Sequence, residues 1–340
     1  VMWPFVDTVS NATVALLYAA GALWLRQANG DPIAIGTIVA FVGYVWRFWL
    51  PVNNLANFYN SLVNSAAYIE RIFEFLNEPV VIEDKPGAIT LPRIEGHVCF
   101  DRVSFAYEPG RPVLSDISFS VEPGESIALV GPTGAGKTTI ISLLCRFYDV
   151  TSGTITIDGY PIDQVTLDSL RTQMGIMLQE PFLFPGTIME NIRYGRLDAS
   201  DEECIEAAKA VHADPFIRRL SHGYQTVIGD QGTGVSSGER QLISFARVLL
   251  ADPRILILDE ATSSIDTQTE KAVQQGIERL MVGRTSFIIA HRLSTIKNVN
   301  RIMVIVDGKI AQTGTHAELI EQPGHYRQLY MSQFRALLGK

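Results

Sequence analysis

A chain of 340 residues with 47% hydrophobic and 19% charged residues allows about two domains, and its apolar excess sits at the front. A formal charge of −8 argues against an electrostatic grip on nucleic acid, which needs a basic face. Cys99, Cys145 and Cys204 lie far apart with no CxxC pair, so neither a zinc site nor a disulfide framework is indicated. They read as small buried hydrophobes in a reducing cytosol.

Val1 is not an initiator, and no basic region precedes the first apolar run. The start reads as the tail of a longer reading frame rather than a signal peptide. Val1–Val9, broken by Asp7, and Asn11–Leu25 together give about 25 mostly apolar residues, enough for a ~30 Å hydrocarbon layer. The polar turn RQANGDP (26–32) follows, then a second apolar run from Ile33 to Val52 carrying Tyr44, Trp46 and Trp49. This predicts a helical hairpin through a membrane; the alternative is a buried helix pair in a soluble protein. Arg47 falls ~20 Å past Pro32. It faces a bundle interior or snorkels to the headgroups, and the sequence leaves both open. After Pro51 apolar positions recur at helical spacing as far as Leu76, so one helix is expected to continue out of the membrane. Residues 1–76 are therefore read as the C-terminal part of a transmembrane domain. Residues 77–95, with three prolines and no periodicity, are read as a linker, and residues 96–340 as a nucleotide-binding domain.

Beyond Gly96 the pattern is α/β. Short alternating runs near 98–107, 116–121 and 154–159 predict an antiparallel layer. Later apolar strands separated by helices predict a buried parallel sheet. Four of these runs stop at a polar position or glycine: SIALVG at Gly131, MGIMLQ at Gln179, ILILDE at Asp259 and Glu260, and SFIIAH at His291. Ligands of open α/β sheets bind beyond the carboxyl ends of the strands, so neighbouring strands would bring these groups to one site.

The segment Gly131-Pro132-Thr133-Gly134-Ala135-Gly136-Lys137-Thr138 fits GxxxxGK[ST] between a strand and a helix. Backbone N–H groups of such a loop wrap phosphate oxygens, and the helix N-terminus adds positive potential. Lys137 would reach the β- and γ-phosphates and the Thr138 hydroxyl would ligate Mg²⁺. Asp259 is the expected Mg²⁺ partner, and Glu260 beside it can orient and deprotonate the attacking water. His291 and Gln179 mean little alone and gain weight only from position.

With these motifs in order, the span from Ile94 to Lys340 resembles an ABC-transporter nucleotide-binding domain. GPTGAGKTT resembles Walker A, Gln179 the Q-loop glutamine, and VSSGERQ (235–241) the signature usually written LSGGQRQ. ILILDE resembles Walker B, Ser264-Ile265-Asp266 the D-loop, His291 the switch histidine, and Tyr107 the aromatic residue that stacks on adenine. The front resembles the last two helices of a bacterial exporter of the multidrug or lipid type. The resemblance implies an α/β P-loop NTPase, an ABC ATPase domain with antiparallel β and helical subdomains, preceded by an all-α transmembrane hairpin. It implies catalysis by Glu260, His291, Lys137 and Gln179, with Mg²⁺ held by Thr138, Gln179 and Asp259. ATP would be bound by Tyr107, by Gly131 to Lys137, and by Thr138 and Thr139. Ser236, Ser237, Gly238 and Glu239 would contact the ATP of a second subunit in a head-to-tail pair. It also implies a multi-pass cell-membrane location with the ATP domain in the cytoplasm, contact with membrane lipid, and export of a small amphipathic molecule.

Val235, Ser237 and Glu239 depart from the usual signature, and an extra carboxylate is expected to weaken contact with a partner's ATP. A heterodimer with a differing sister subunit is therefore expected over a homodimer. Two rival readings are a soluble ABC-type ATPase working on DNA or ribosomes and a non-hydrolysing regulatory subunit. The apolar hairpin and acidic charge oppose the first; Glu260 and His291 oppose the second.

Overall fold

The computed structural model describes residues 2–27, 32–177, 181–229, 234–259, 267–290 and 298–338. The chain divides into two compact units, Val1–Val81 and Ile82–Lys340.

The first unit is a pair of helices, α1 (Met2–Gln27) and α2 (Pro32–Leu76). At 1.5 Å per residue they run about 39 and 67 Å. Both contain a stretch long and apolar enough to cross a membrane, with mean hydropathies of 1.4 and 1.5. They approach closely where Gly21 faces α2, since a Cβ there would sit 3.1 Å from Ile38 Cδ1. Ser10, Gly21 and Ala56 are buried, whereas Phe5, Leu16, Phe41, Trp46 and Phe48 are exposed. Small residues inward and large apolar residues outward invert the pattern of a helix pair in water. Pro51 lies inside α2, as the continuous run to Leu76 predicts. Of the predicted turn, residues 28–31 lie outside the described residues.

The second unit is built on two main sheets. The first contains β1 (Val98–Phe105), β2 (Leu114–Val121), β4 (Ser152–Ile157) and β5 (Tyr160–Pro161), antiparallel in the order β2-β1-β4-β5. This is the predicted antiparallel layer. The second contains β3 (Ser126–Val130), β6 (Met174–Met177), β9 (Ile255–Asp259), β10 (Thr285–Ile289), β11 (Arg301–Val306) and β12 (Lys309–Gly314). Its order is β12-β11-β3-β10-β9-β6, and every pairing except β11–β12 is parallel. A small pair, β7 (Gly186–Thr187) and β8 (Val227–Ile228), stands apart.

Side chains alternate across the six-stranded sheet, and so the core divides in two. Ile127, Leu129, Ile257, Phe287 and Ile305 pack with the antiparallel layer and with α3 (Lys137–Leu144). Ala128, Val130, Leu258, Ile288 and Val304 pack on the other face with the helical segments. Those segments, after α4 (Leu167–Arg171), are α5 (Ile188–Arg193), α6 (Asp201–Ala210), α7 (Asp214–Ile217), α8 (Ser237–Ala251) and α9 (Thr267–Met281). The chain ends with α10 (His316–Glu321) and α11 (His325–Leu338). Cys145 and Cys204 are buried as expected, but Cys99, on β1 of the outer layer, is half-buried.

Residues 82–95, read from sequence as part of a linker, form a strap bonded along the second unit. Ile89 makes a parallel bridge with Val165. Leu91 N–H donates to Ser169 Oγ, and Ile94 N–H donates to Gln173 Oε1 at 2.8 Å. Asp158 gathers the N–H groups of Glu95, Gly96 and His97. Arg146, 1% exposed, donates to Asp149 Oδ1 (3.1 Å), Val165 O (3.2 Å) and Glu83 O (3.0 Å). These partners are side chains and isolated carbonyls rather than a ladder, so the strap carries no periodicity.

Among the described residues, four helices begin with the same device. In α5, α6, α8 and α10 a Ser or Thr N-cap accepts from the third residue, whose Glu carboxylate accepts the N-cap N–H. This is the S/T-x-x-E capping box.

Candidate functional site

The sheet order brings β3, β10, β9 and β6 side by side in parallel, so the carboxyl ends of these four strands, at Val130, Ile289, Asp259 and Met177, share one edge. Gln179, Glu260, His291 and the D-loop residues Ser264, Ile265 and Asp266 lie outside the described residues. The remaining groups outline a cleft of about 370 Å³ lined by Tyr107, Val113, Thr133, Gly134, Gly136, Lys137, Thr138, Thr139, Asp259 and Ile289.

The loop after β3 is shaped by contact with its neighbours. β11 lies beside β3, and a Cβ on Gly131 would fall 2.1 Å from Ile305 O. No side chain fits there, so the backbone at Gly131 lies directly against β11. Gly136 has φ +102°, and a Cβ there would meet Leu114 Cδ2 at 2.6 Å. It is the N-cap of α3 and supplies no side-chain cap, in contrast to the four boxed helices. The first N–H groups of α3 are therefore left for a ligand, and an anion is the ligand that a helix N-terminus favours.

Lys137 opens α3 and is 8% exposed. Its Nζ donates to Gly131 O and Pro132 O, both at 2.8 Å, so the amine is folded back against the loop. Burial pulls its pKa below the ordinary lysine value, and the Asp259 carboxylate opposes that shift. Thr138 is exposed within the lining, while Thr139 is buried and its Oγ1 lies 3.2 Å from Tyr107 Oη. Pro132 is exposed and Ala135 buried; neither lines the cleft.

Tyr107, half exposed, meets Phe105 at 4.8 Å and Tyr148 at 5.0 Å between ring centroids, both nearly perpendicular. Sequence reasoning overlooked Val113, Ile289 and Tyr148. The first two carry no chemistry a motif could flag, and Tyr148 sits in the run RFYD after α3 with nothing to mark it.

The signature residues lie elsewhere. None of Ser236, Ser237, Gly238 and Glu239 lines this cleft. Ser236 caps α8, its Oγ accepting from Glu239 N–H at 3.3 Å while Glu239 Oε2 accepts Ser236 N–H at 2.8 Å. The carboxylate that departs from the usual signature is thus turned back onto its own helix. Ser237 is exposed, and Val235 and Gly238 are buried.

Residues 114–263 match the family model described as ABC transporter. The chain is 48% identical over 331 residues to an uncharacterized ABC transporter ATP-binding protein, YknV, of Bacillus subtilis (strain 168), covering 97% of this chain and 54% of that protein. It is 48% identical over 327 residues to a fatty acid ABC transporter ATP-binding/permease protein of Mycobacterium tuberculosis (strain CDC 1551 / Oshkosh), covering 96% and 51%. A solved structure of a bacterial Atm1-family ABC exporter with ATP bound superposes with a TM-score of 0.73 at 36% identity, covering 96% of this chain and 57% of that one. The chain spans about half the length of the curated relatives it matches.

Proposed function

Since this chain belongs to the ABC transporter family, we propose that it is the ATP-hydrolysing part of an export pump that moves drugs, lipids or other amphipathic compounds across a membrane. The observation that carries the reading is the side-by-side placement of β3, β10, β9 and β6. It sets Thr133, Gly134 and Gly136 of the glycine loop, Lys137 and Asp259 around one cleft.

In this reading the triphosphate lies along the Gly131–Gly136 loop and the start of α3. Lys137 leaves the two loop carbonyls for the phosphates, replacing two neutral acceptors with charged ones. Tyr107 carries the adenine. Thr138, Asp259 and Gln179 would hold Mg²⁺, which would neutralise phosphate charge. The donor set fits a hard cation: Thr138 offers an exposed hydroxyl and Asp259 a carboxylate in the same lining. Glu260 orients and deprotonates water, and His291 serves as the switch histidine. The hairpin α1–α2 lies in the cell membrane with the ATP domain in the cytoplasm. A second, differing subunit completes the site, and Ser236–Glu239 of this chain serve that partner's ATP.

The test is Glu260→Gln in the full-length protein. ATP binding is expected to persist while hydrolysis falls by about 10²–10⁴-fold, the usual weight of general-base help. Hydrolysis at the parent rate would remove Glu260 from the reaction.

A further inference from the structure

The described contacts give Tyr107 more support than a half-exposed surface aromatic needs. Its ring is met nearly at right angles by Phe105 and by Tyr148, and its hydroxyl is within hydrogen-bond distance of the buried Thr139. Two ring contacts and one polar contact leave little freedom in either side-chain torsion.

Tyr148 also meets Phe105, at 5.6 Å between ring centroids, and its chain neighbours on both sides are held. Arg146 Nε donates to Asp149 Oδ1 at 3.1 Å, and Arg171 stacks its guanidinium 5.1 Å from the Phe147 ring. Just beyond, Thr151 N–H donates to Ser104 O at 2.9 Å, and Ala106 N–H donates to Thr151 Oγ1 at 3.3 Å. The segment 146–151 is thereby bonded to the end of β1 at the residues that precede Tyr107. The same segment follows α3, the helix that starts at Lys137. Base platform and phosphate loop are joined through one short piece of chain.

We propose that Tyr148 is a positioning residue that fixes the ring of Tyr107 as a preset platform for the purine base, without itself touching the nucleotide. The inference rests on the ATP site proposed above. Fixing a ring in advance removes the ordering cost that a free aromatic side chain incurs when a base stacks on it. Perpendicular aromatic pairs contribute about as much as a threefold to tenfold change in affinity.

The experiment measures, by calorimetry on the full chain, the affinity of ATP and of inorganic tripolyphosphate, which uses the loop but has no base. It compares the parent with Tyr148→Leu, Tyr148→Phe, Tyr107→Ala and the double variant Tyr107→Ala/Tyr148→Leu. Tyr148→Leu is expected to weaken ATP by about three- to tenfold and to leave tripolyphosphate unchanged. Tyr148→Phe keeps the ring and should bind both ligands as the parent does. With Tyr107 removed, Tyr148→Leu should have no further effect, because a residue that acts through another is silent without it. Unchanged ATP affinity in Tyr148→Leu overturns the proposal. So does an equal loss for both ligands, which marks a merely structural role, or a full effect that persists without Tyr107, which marks direct contact. A parent that binds tripolyphosphate but gains nothing from the adenosine of ATP removes the base platform itself, and one that binds neither ligand removes the ATP site.

Discussion

Replacing Arg146 by Met tests whether the strap is part of the ATP-binding unit. Arg146 is almost wholly enclosed, and its guanidinium bonds Asp149, Val165 O and Glu83 O. Methionine fills a similar volume but donates nothing. Asp149 is 46% exposed and regains water, so its loss is small. Val165 is buried, and its carbonyl is left without this donor. A buried acceptor that loses its partner costs about 1–3 kcal/mol, and with Asp149 and Glu83 both exposed no buried charge is left unpaired. Arg146 holds φ +49°, and Met would hold the same angle at the same backbone cost, so that contribution cancels. The expected loss is about 1–3 kcal/mol, against a typical domain stability of about 5–15 kcal/mol. For a unit of this size each kcal/mol moves Tm by about 2–4 °C, so a fall of roughly 5 °C is expected. The assay is urea and thermal unfolding of residues 82–340 followed by circular dichroism. A control starting at residue 96 lacks Glu83 and should already have lost part of the effect, making Arg146→Met milder there. A change below about 1 kcal/mol in the longer unit would refute the reasoning.

Gly131→Ala places a Cβ 2.1 Å from Ile305 O, so the loop must shift and nucleotide binding should be lost, measured as ATP affinity; parent-like affinity would show that the sheet edge yields. A cysteine at position 28 should react with an impermeant thiol reagent on intact cells if the 26–32 turn lies outside; labelling only after lysis would reverse the orientation. For the signature, Ser237→Gly with Glu239→Gln should raise the ATPase of a pure homodimer, and co-expression with a sister chain should raise the parent's. Strong, substrate-stimulated ATPase from the unmodified homodimer, insensitive to both changes, would end the heterodimer proposal. Glutamine at 239 can keep the capping geometry, so a drop in Tm on that change alone would show that the cap needs the charge.

The glycine loop could be found from sequence because close packing leaves no freedom in residue type at Gly131 and Gly136, and the long apolar helices because their composition persists over many turns. Strand adjacency was not legible. β3, β10 and β9 come from distant parts of the chain, and the run lengths say nothing of their order. The strap was hidden for a different reason: its partners, Ser169, Gln173, Arg146 and Asp158, lie 63 to 82 positions away in the bonds they make to it. Glu239 is the instructive case. Compared with a family pattern it stands out as an alteration, yet the local pattern Ser-x-x-Glu already names it as a capping residue, as at Thr187, Ser200 and Thr315.

Those four boxes have a consequence for how anions sort over the surface. Each glutamate is a counter-ion that the chain carries with it, tethered beside the helix end that a free phosphate would seek. At α5, α6, α8 and α10 the berth is already taken by an internal ligand. At α3 it is not, because Gly136 has no side chain to offer. A triphosphate arriving from solvent therefore meets open N–H groups at Lys137, whereas at Ser236 it must first dislodge Glu239. In the proposed head-to-tail pair this makes the two contacts on one nucleotide sequential: the glycine loop engages on arrival, and a signature of this kind engages only by exchange.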